Sequence, residues 1–310
     1  MGKQPIPPTG CSSMPASLFR FMPALFVVLW STGFIGARYA MPYAEPLGFL
    51  AIRFGLSFVI LLCALLILRK PRLPARIAMH AAIAGALLHG VYLGFVFWVI
   101  HEGFPAGLTA AIVSLQPVLV AIFAALILRE TVTWRQWMGI ALGLVGTVLV
   151  LLPKLGFTDP GVTPMTIAGC VLALLGISAG TLWQKRFVGQ ADLLAGTLWQ
   201  YLGATVVMLI PAMLLEEGRL TWNPSLVLSL LWLVFGLSLG AIFLLMAMIK
   251  NGAVSKVSSL FYLVPSVTAL MAFVLFGEQL ELVQLAGMVL VGAGVALATR
   301  QGSTLRRASR

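Results

Sequence analysis

Charge is what this chain has least of. Only 9% of its 310 residues are Asp, Glu, Lys or Arg, against roughly a quarter in an ordinary soluble domain. Nine residues are acidic, and none of them falls in the middle of an apolar run. Proton- and sodium-driven carriers commonly place a carboxylate at mid-membrane, so this absence gives ion coupling little support. Cysteine is scarce too: Cys11, Cys63 and Cys170 have no metal-ligand spacing and form no disulfide framework. A phosphate-cradling glycine loop, a paired acidic metal motif and a nucleophile–base pair are all missing. No enzyme activity, no cofactor and no metal are expected. No stretch is polar enough to form a separate soluble domain.

Apolar residues fill the space that charge leaves. The chain is 60% hydrophobic with a mean hydropathy of +1.03. Runs of about 20 apolar residues recur, each long enough to cross a hydrocarbon core of about 30 Å. Breaks at Pro, Gly and charge clusters divide the chain into ten segments, roughly 21–40, 46–68, 76–100, 105–128, 134–152, 163–186, 193–215, 225–249, 253–276 and 281–299. A spanning strand needs only about 10 alternating residues, so runs of this length predict helices. The fold class expected is an all-α integral membrane protein of ten transmembrane helices. Residues 1–20 read as a disordered Pro- and Ser-rich tail, and residues 300–310 as a basic tail.

Net charge is +11 and the pI about 10.2. Nucleic acid is not the implied partner, because the basic residues sit in short loops, where they set membrane orientation. Ten crossings put both termini on one side. If that side is the cytoplasm, 16 basic residues lie inside, Arg38, Lys154 and Arg219 lie outside, and Arg53 lies within a helix. Both termini are therefore expected in the cytoplasm, with the chain in the inner (plasma) membrane. Its expected partners are membrane lipid and a small-molecule substrate.

The chain is also written twice. Pro117 matches Pro265, Glu130 matches Glu278, Gln136 matches Gln284, Gly139 matches Gly287 and Gly146 matches Gly294, always at one offset (265 − 117 = 148). The register extends upstream through Arg38/Arg186, Gly48/Gly196, Gly55/Gly203 and Leu115/Leu263. Residues 21–152 and 153–299 would then be two copies of a five-helix unit. Five is odd, so the second copy enters the membrane from the opposite side. Two inverted repeats about an axis in the membrane plane are a transporter architecture, with the substrate site between the halves.

Polar side chains inside such helices usually face the bundle interior or an aqueous path. Segment 1 holds Trp30, Ser31 and Thr32; segment 3 places His89 and Tyr92 on one face; segment 4 holds Thr109 and Gln116; segment 6 holds Ser178, Thr181, Trp183 and Gln184. Segment 9 carries Ser255, Ser258, Ser259, Tyr262 and Ser266 at helical spacing, one polar stripe. The expected substrate path is Trp30, Thr32, His89, Tyr92, Gln116, Trp183, Gln184, Ser258 and Tyr262, in a cavity lined by segments 1, 3, 4, 6 and 9. Five residues are assigned structural or gating roles instead. Arg53 would snorkel outward from segment 2, Pro117 and Pro265 interrupt helices, and Glu130 and Glu278 close segments 4 and 9. Gly139-xxx-Gly143 and Gly292-xxx-Ala296 are small-residue faces for close helix contact.

Several of these residues form a family pattern. Trp30-Ser31 with Phe34, Arg53, Leu73-Pro74, Ser114-xx-Pro117, Glu130, and Gln136-xx-Gly139 with Gly146 occur in the first copy. Pro265, Glu278, Gln284-xx-Gly287, Gly294 and the Ala247-Met248-Ile249-Lys250 run occur in the second. Over residues 21–300 the chain resembles the EamA family of the drug/metabolite transporter superfamily. The resemblance implies transport, often export, of amino acids or other small metabolites. Two positions depart from symmetry: Ser178 and Tyr201 stand where the first copy has Trp30 and Arg53. The expectation is a secondary transporter exporting an amino-acid-like metabolite by alternating access. Broad export of toxic compounds, and a non-transporting membrane protein such as a lipid-modifying enzyme, are the alternatives.

Overall fold

The computed structural model describes residues 16–116, 118–120, 122–123, 133–152, 160–189, 191–241, 244, 264–277 and 279–299. These residues form helices α1 (Ala16–Ala40), α2 (Pro46–Ile67), α3 (Ala75–His101), α4 (Ala106–Val113) and α5 (Trp134–Leu151). They continue as α6 (Pro164–Phe187), α7 (Leu193–Leu215), α8 (Pro224–Ala241), α9 (Val264–Phe276) and α10 (Leu282–Thr299). Within α3 the stretch Ala86–Val91 is wound as a π-helix, and so is Trp232–Ala241 at the end of α8. Five of the helices, α2, α3, α6, α7 and α8, are long and apolar enough to cross a membrane. Between 33% and 50% of each of these spans is buried. The rest of their surface is largely Leu, Val, Ile, Met and Phe, such as Leu66, Ile67, Met213 and Leu214, which suits lipid rather than water.

Local chemistry explains where the helices begin. Pro46, Pro164 and Pro224 open α2, α6 and α8 at positions where a missing N–H costs nothing. Thr163 and Thr166 form a reciprocal capping box on α6, and Asn223 accepts from the Leu226 N–H on α8. Asp192 caps α7 by accepting from the Ala195 N–H at 3.1 Å. That N–H, opposed by burial and aided by Lys70 at 3.4 Å, holds the Asp192 carboxyl below its ordinary range.

α2 is capped from another helix. Its preceding residue, Glu45, makes no side-chain cap. Instead the carboxylate of Glu216, just past the end of α7, accepts from the N–H groups of Leu47 and Gly48, both at 2.7 Å. Glu45 returns the contact by accepting from the Arg219 N–H at 2.9 Å. Burial raises the Glu45 carboxyl, but the N–H groups of Arg219, Glu217 and Gly218 outweigh it and leave the pKa below the usual range. An isolated antiparallel bridge between Ala44 and Leu220 completes this joint. α2 and α7 are thereby locked at one end and run antiparallel, with Gly48 near Glu216 and Gly55 near Thr205.

The packing pattern maps onto itself when each helix is exchanged for its partner in the other copy. α3 packs on α6 and α7, and α8 packs correspondingly on α1 and α2; α4 packs on α6, and α9 on α1. The most extensive contact joins the mates α5 and α10. Here a Cβ on Gly146 would sit 2.7 Å from the Gly287 carbonyl oxygen, and one on Gly294 would sit 2.6 Å from that of Gly139. Exchanging mates turns the first contact into the second. It also shows the two helices to be antiparallel, so the axis relating them is perpendicular to both. Gly292 has open space around it, so the close face of α10 is Gly287 and Gly294 rather than Gly292-xxx-Ala296. Gln284 is buried and donates to the Val150 carbonyl at 3.2 Å, tying α10 to α5; the Gln136 side chain lies outside the described residues.

Candidate functional site

A cavity of about 210 Å³ lies among α1, α2, α3, α6, α7 and α8. Its apolar wall is Trp30, Gly33, Phe34, Leu88, Leu93, Val96, Phe97, Ile177, Leu193 and Leu237. Its polar groups are Arg53, His89, Tyr92, Gln184, Thr197, Gln200, Tyr201 and Ser238. Seven residues at 1.5 Å each place Arg53 about 10 Å along α2 from Pro46, and its side chain is buried inside the bundle. From there the lining extends to Gln184 and Leu193 beside the α6–α7 turn.

The side chains at the centre hold one another in place. His89 stacks on Tyr201 with ring centroids 4.9 Å apart and planes 21° apart, and Tyr201 stacks on Phe54 at 6.0 Å. Nε2 of His89 lies 3.3 Å from the Gln200 amide oxygen, which makes Nε2 the donor when the ring is neutral. The Tyr201 hydroxyl donates to the Ser238 carbonyl at 3.3 Å. Two glycines let the backbones come this close. Gly85 of α3 abuts the Gln200 backbone, and Gly203 of α7 abuts that of Ala82; any side chain at either would push α3 off α7.

Arg53 is 4% exposed. Its guanidinium carbon lies 5.6 Å from the Phe54 ring centre and 5.9 Å from that of Phe97, and one terminal nitrogen donates to Ser238 Oγ at 3.4 Å. Its Nε is buried without a hydrogen-bond partner. The ion pairs among the described residues are Lys70–Asp192 and Arg219–Glu217, and neither involves Arg53. Rather than snorkelling outward, the side chain lies on aromatic faces inside the bundle. A buried cation with no counter-ion is costly, and aromatic contacts recover only part of that cost.

The residues expected along the path divide. Trp30, His89, Tyr92 and Gln184 line the cavity. Thr32 donates to the Leu29 carbonyl at 2.6 Å and accepts from Trp232 Nε1 at 2.8 Å, so it joins α1 to α8. Gln116 donates to Thr181 at 2.9 Å, joining the segment after α4 to α6. Trp183 packs instead with His80 and Phe187 in a separate aromatic cluster, its Nε1 buried without a hydrogen-bond partner. Ser258, Tyr262, Pro117, Glu130 and Glu278 lie outside the described residues, as does the side chain of Pro265. Where α4 is described, its Thr109 hydroxyl is spent on the Pro105 carbonyl at 3.0 Å. The cavity takes its further polar groups from α2, α7 and α8. Thr197 and Gln200, three residues apart on one face of α7, are the signal in the sequence for this side of the cavity.

A membrane bundle with an internal cavity is a transporter's form, and similarity to known proteins points the same way. The family model described as "EamA-like transporter family" matches residues 20–152 and again 163–300. The uncharacterized inner membrane transporter YedA of Escherichia coli (strain K12) is 31% identical over 288 residues, covering 91% of this chain and 90% of that protein. The uncharacterized transporter YvbV of Bacillus subtilis (strain 168) is 27% identical, covering 96% of each. A probable amino-acid metabolite efflux pump of Salmonella typhimurium is 25% identical, covering 89% of this chain and 92% of that one. A solved crystal structure at 21% identity has the same fold, with a TM-score of 0.63 over 92% of this chain and 97% of that one. With both copies matched, this chain belongs to the EamA-like transporter family.

Proposed function

We propose that the chain is an inner-membrane secondary transporter that exports a small amino-acid-like metabolite by alternating access. Ten crossings arranged as two inverted five-helix repeats, residues 21–152 and 153–299, would leave both termini in the cytoplasm. The observation that carries this reading is the cavity between the copies, apolar and aromatic on most of its wall and polar at a few fixed points. Support for inversion comes from the antiparallel α5–α10 pair, whose glycine contacts exchange under the repeat. Support for export and for the substrate class comes from the Salmonella relative, a probable amino-acid metabolite efflux pump, and for the membrane from YedA, an inner membrane transporter. Among the described residues no carboxylate lines the cavity, which lends ion coupling little support and leaves exchange or facilitated diffusion open.

Proteoliposomes holding the purified full chain test the reading. Saturable flux of an amino-acid-like metabolite, competed by its analogues and not by lipophilic cations, is the expected result. Competition by lipophilic cations would favour broad export of toxic compounds, which an aromatic lining also permits. No flux with any compound would refute transport. A C-terminal reporter fluorescent only in the cytoplasm should be bright.

A further inference from the structure

The proposed reading leaves the charge of the substrate open, and Arg53 bears on it. Its guanidinium is buried in the cavity wall, its Nε has no hydrogen-bond partner, and it has no ion pair among the described residues. Guanidinium presents five donors in a fixed planar fork, and Ser238 Oγ engages one terminal nitrogen. Donors therefore remain for an anion entering the cavity. Planar carboxylates match this fork with two parallel bonds. One guanidinium balances one negative charge, so a monocarboxylate fits better than a phosphate dianion.

The opposite charge is poorly served. The nine acidic residues of the chain are Glu45, Glu102, Glu130, Asp159, Asp192, Glu216, Glu217, Glu278 and Glu281. None of the described ones, Glu45, Glu102, Asp192, Glu216, Glu217 and Glu281, lines the cavity. An ammonium group brought into the cavity would shed its water with only neutral acceptors among the described lining residues to replace it. The apolar part of the lining, which includes Trp30, Phe34 and Leu237, suits an apolar or aromatic body.

We propose that this cavity is a site for organic monocarboxylates with an apolar or aromatic body, that Arg53 anchors the carboxylate, and that a free α-amino group is not required. Resting on the transporter reading, this inference replaces "amino-acid-like" by a net anion. A deaminated or N-acylated acid should bind at least as well as the parent amino acid.

Three probes that share one aromatic body separate the charges: N-acetyl-L-phenylalanine (anion), L-phenylalanine (zwitterion) and L-phenylalaninamide (cation). Ligand-induced thermal stabilisation of the purified full chain gives relative affinities, and counterflow in proteoliposomes gives transport. The anion should bind as tightly as the zwitterion or tighter, and the cation at least tenfold more weakly. Arg53→Gln should remove that discrimination, whereas Arg53→Lys should keep the preference for the anion with weaker binding. A purely structural arginine would lower stability without changing the ranking of the three probes. Equal binding of the amide and the acid, or an unchanged ranking in Arg53→Gln, overturns the assignment. If Arg53→Gln does not fold, the ranking in wild type and in Arg53→Lys decides. Flux of lipophilic cations without binding of any of the three overturns the assignment and leaves transport standing. Absence of flux for every compound overturns both.

Discussion

The α5–α10 contact can be tested with a single methyl group. A Cβ added at Gly146 would lie 2.6 Å from the Val291 nitrogen, 2.7 Å from the Gly287 carbonyl oxygen and 2.9 Å from Val291 Cγ2. Ordinary contact begins at 3.4 Å, so α10 would have to retreat by about 0.8 Å (3.4 − 2.6 = 0.8). Two of the three obstacles are backbone atoms, which cannot rotate away. The retreat would also open the twin contact, where Gly294 meets Gly139 and Gly143. Overpacking costs about 1–3 kcal/mol, and obstruction by backbone places Gly146→Ala near the top of that range. Gly292 on the same helix is the control, because a Cβ there meets nothing within 4 Å. Helix propensity favours Ala over Gly by up to about 1 kcal/mol at both positions, so the difference between the two variants isolates the steric term. At about 2–4 °C per kcal/mol, Gly146→Ala should lower the apparent Tm by roughly 5 °C or more. Gly292→Ala should leave it unchanged or slightly raised. The measurement is intrinsic fluorescence during heating of detergent-purified protein at one scan rate, since unfolding of such proteins is a rate as much as an equilibrium. Equal melting of the two variants would refute the backbone-on-backbone packing of α5 against α10.

Two further outcomes concern the ends of α7. Glu216→Gln leaves one acceptor for the two N–H groups of Leu47 and Gly48 and removes the negative charge from the start of α2. It should cost about 1 kcal/mol, the worth of a cap, seen as an apparent Tm lower by about 2–4 °C; no change would mean that α2 is capped by solvent. Asp192 carries a pH dependence of known sign. Its pKa in the folded chain is held below the ordinary aspartate value, so its stabilising contribution is complete above that ordinary value and is lost as pH falls through the folded pKa. Asp192→Asn should be less stable than wild type at neutral pH and should converge with it in acid; a constant difference across the range would show that the carboxylate is not the source.

Helical character was legible from the chain alone because hydropathy summed over about 20 residues is a local, additive property. The twofold register was legible for the same reason: identical residues recur at one offset whatever the fold. Side-chain facing was harder. Gln116 and Gln200 are both glutamines within apolar runs, yet one satisfies Thr181 across a helix contact and the other meets His89 at the cavity. Trp30 lines the cavity while Trp183 stacks in the His80–Phe187 cluster. The rotation of a helix about its axis is set by what its neighbours accept, and a single-helix pattern does not contain that.

Arg53 shows the same division most clearly. Sequence by itself determined that one always-charged residue lies within an apolar helix, and that its repeat mate Tyr201 carries no charge. It also determined that the acidic residues are confined to helix ends and loops. Only the tertiary structure decided that the arginine points inward, onto Phe54 and Phe97 beside its own mate's helix, and that its Nε is left without a hydrogen-bond partner. The physical reason is that α2 and α7 are pinned together by Glu216 and by glycine contacts. That packing turns the Arg53 face toward the cavity, whereas the length of the side chain alone permits either direction.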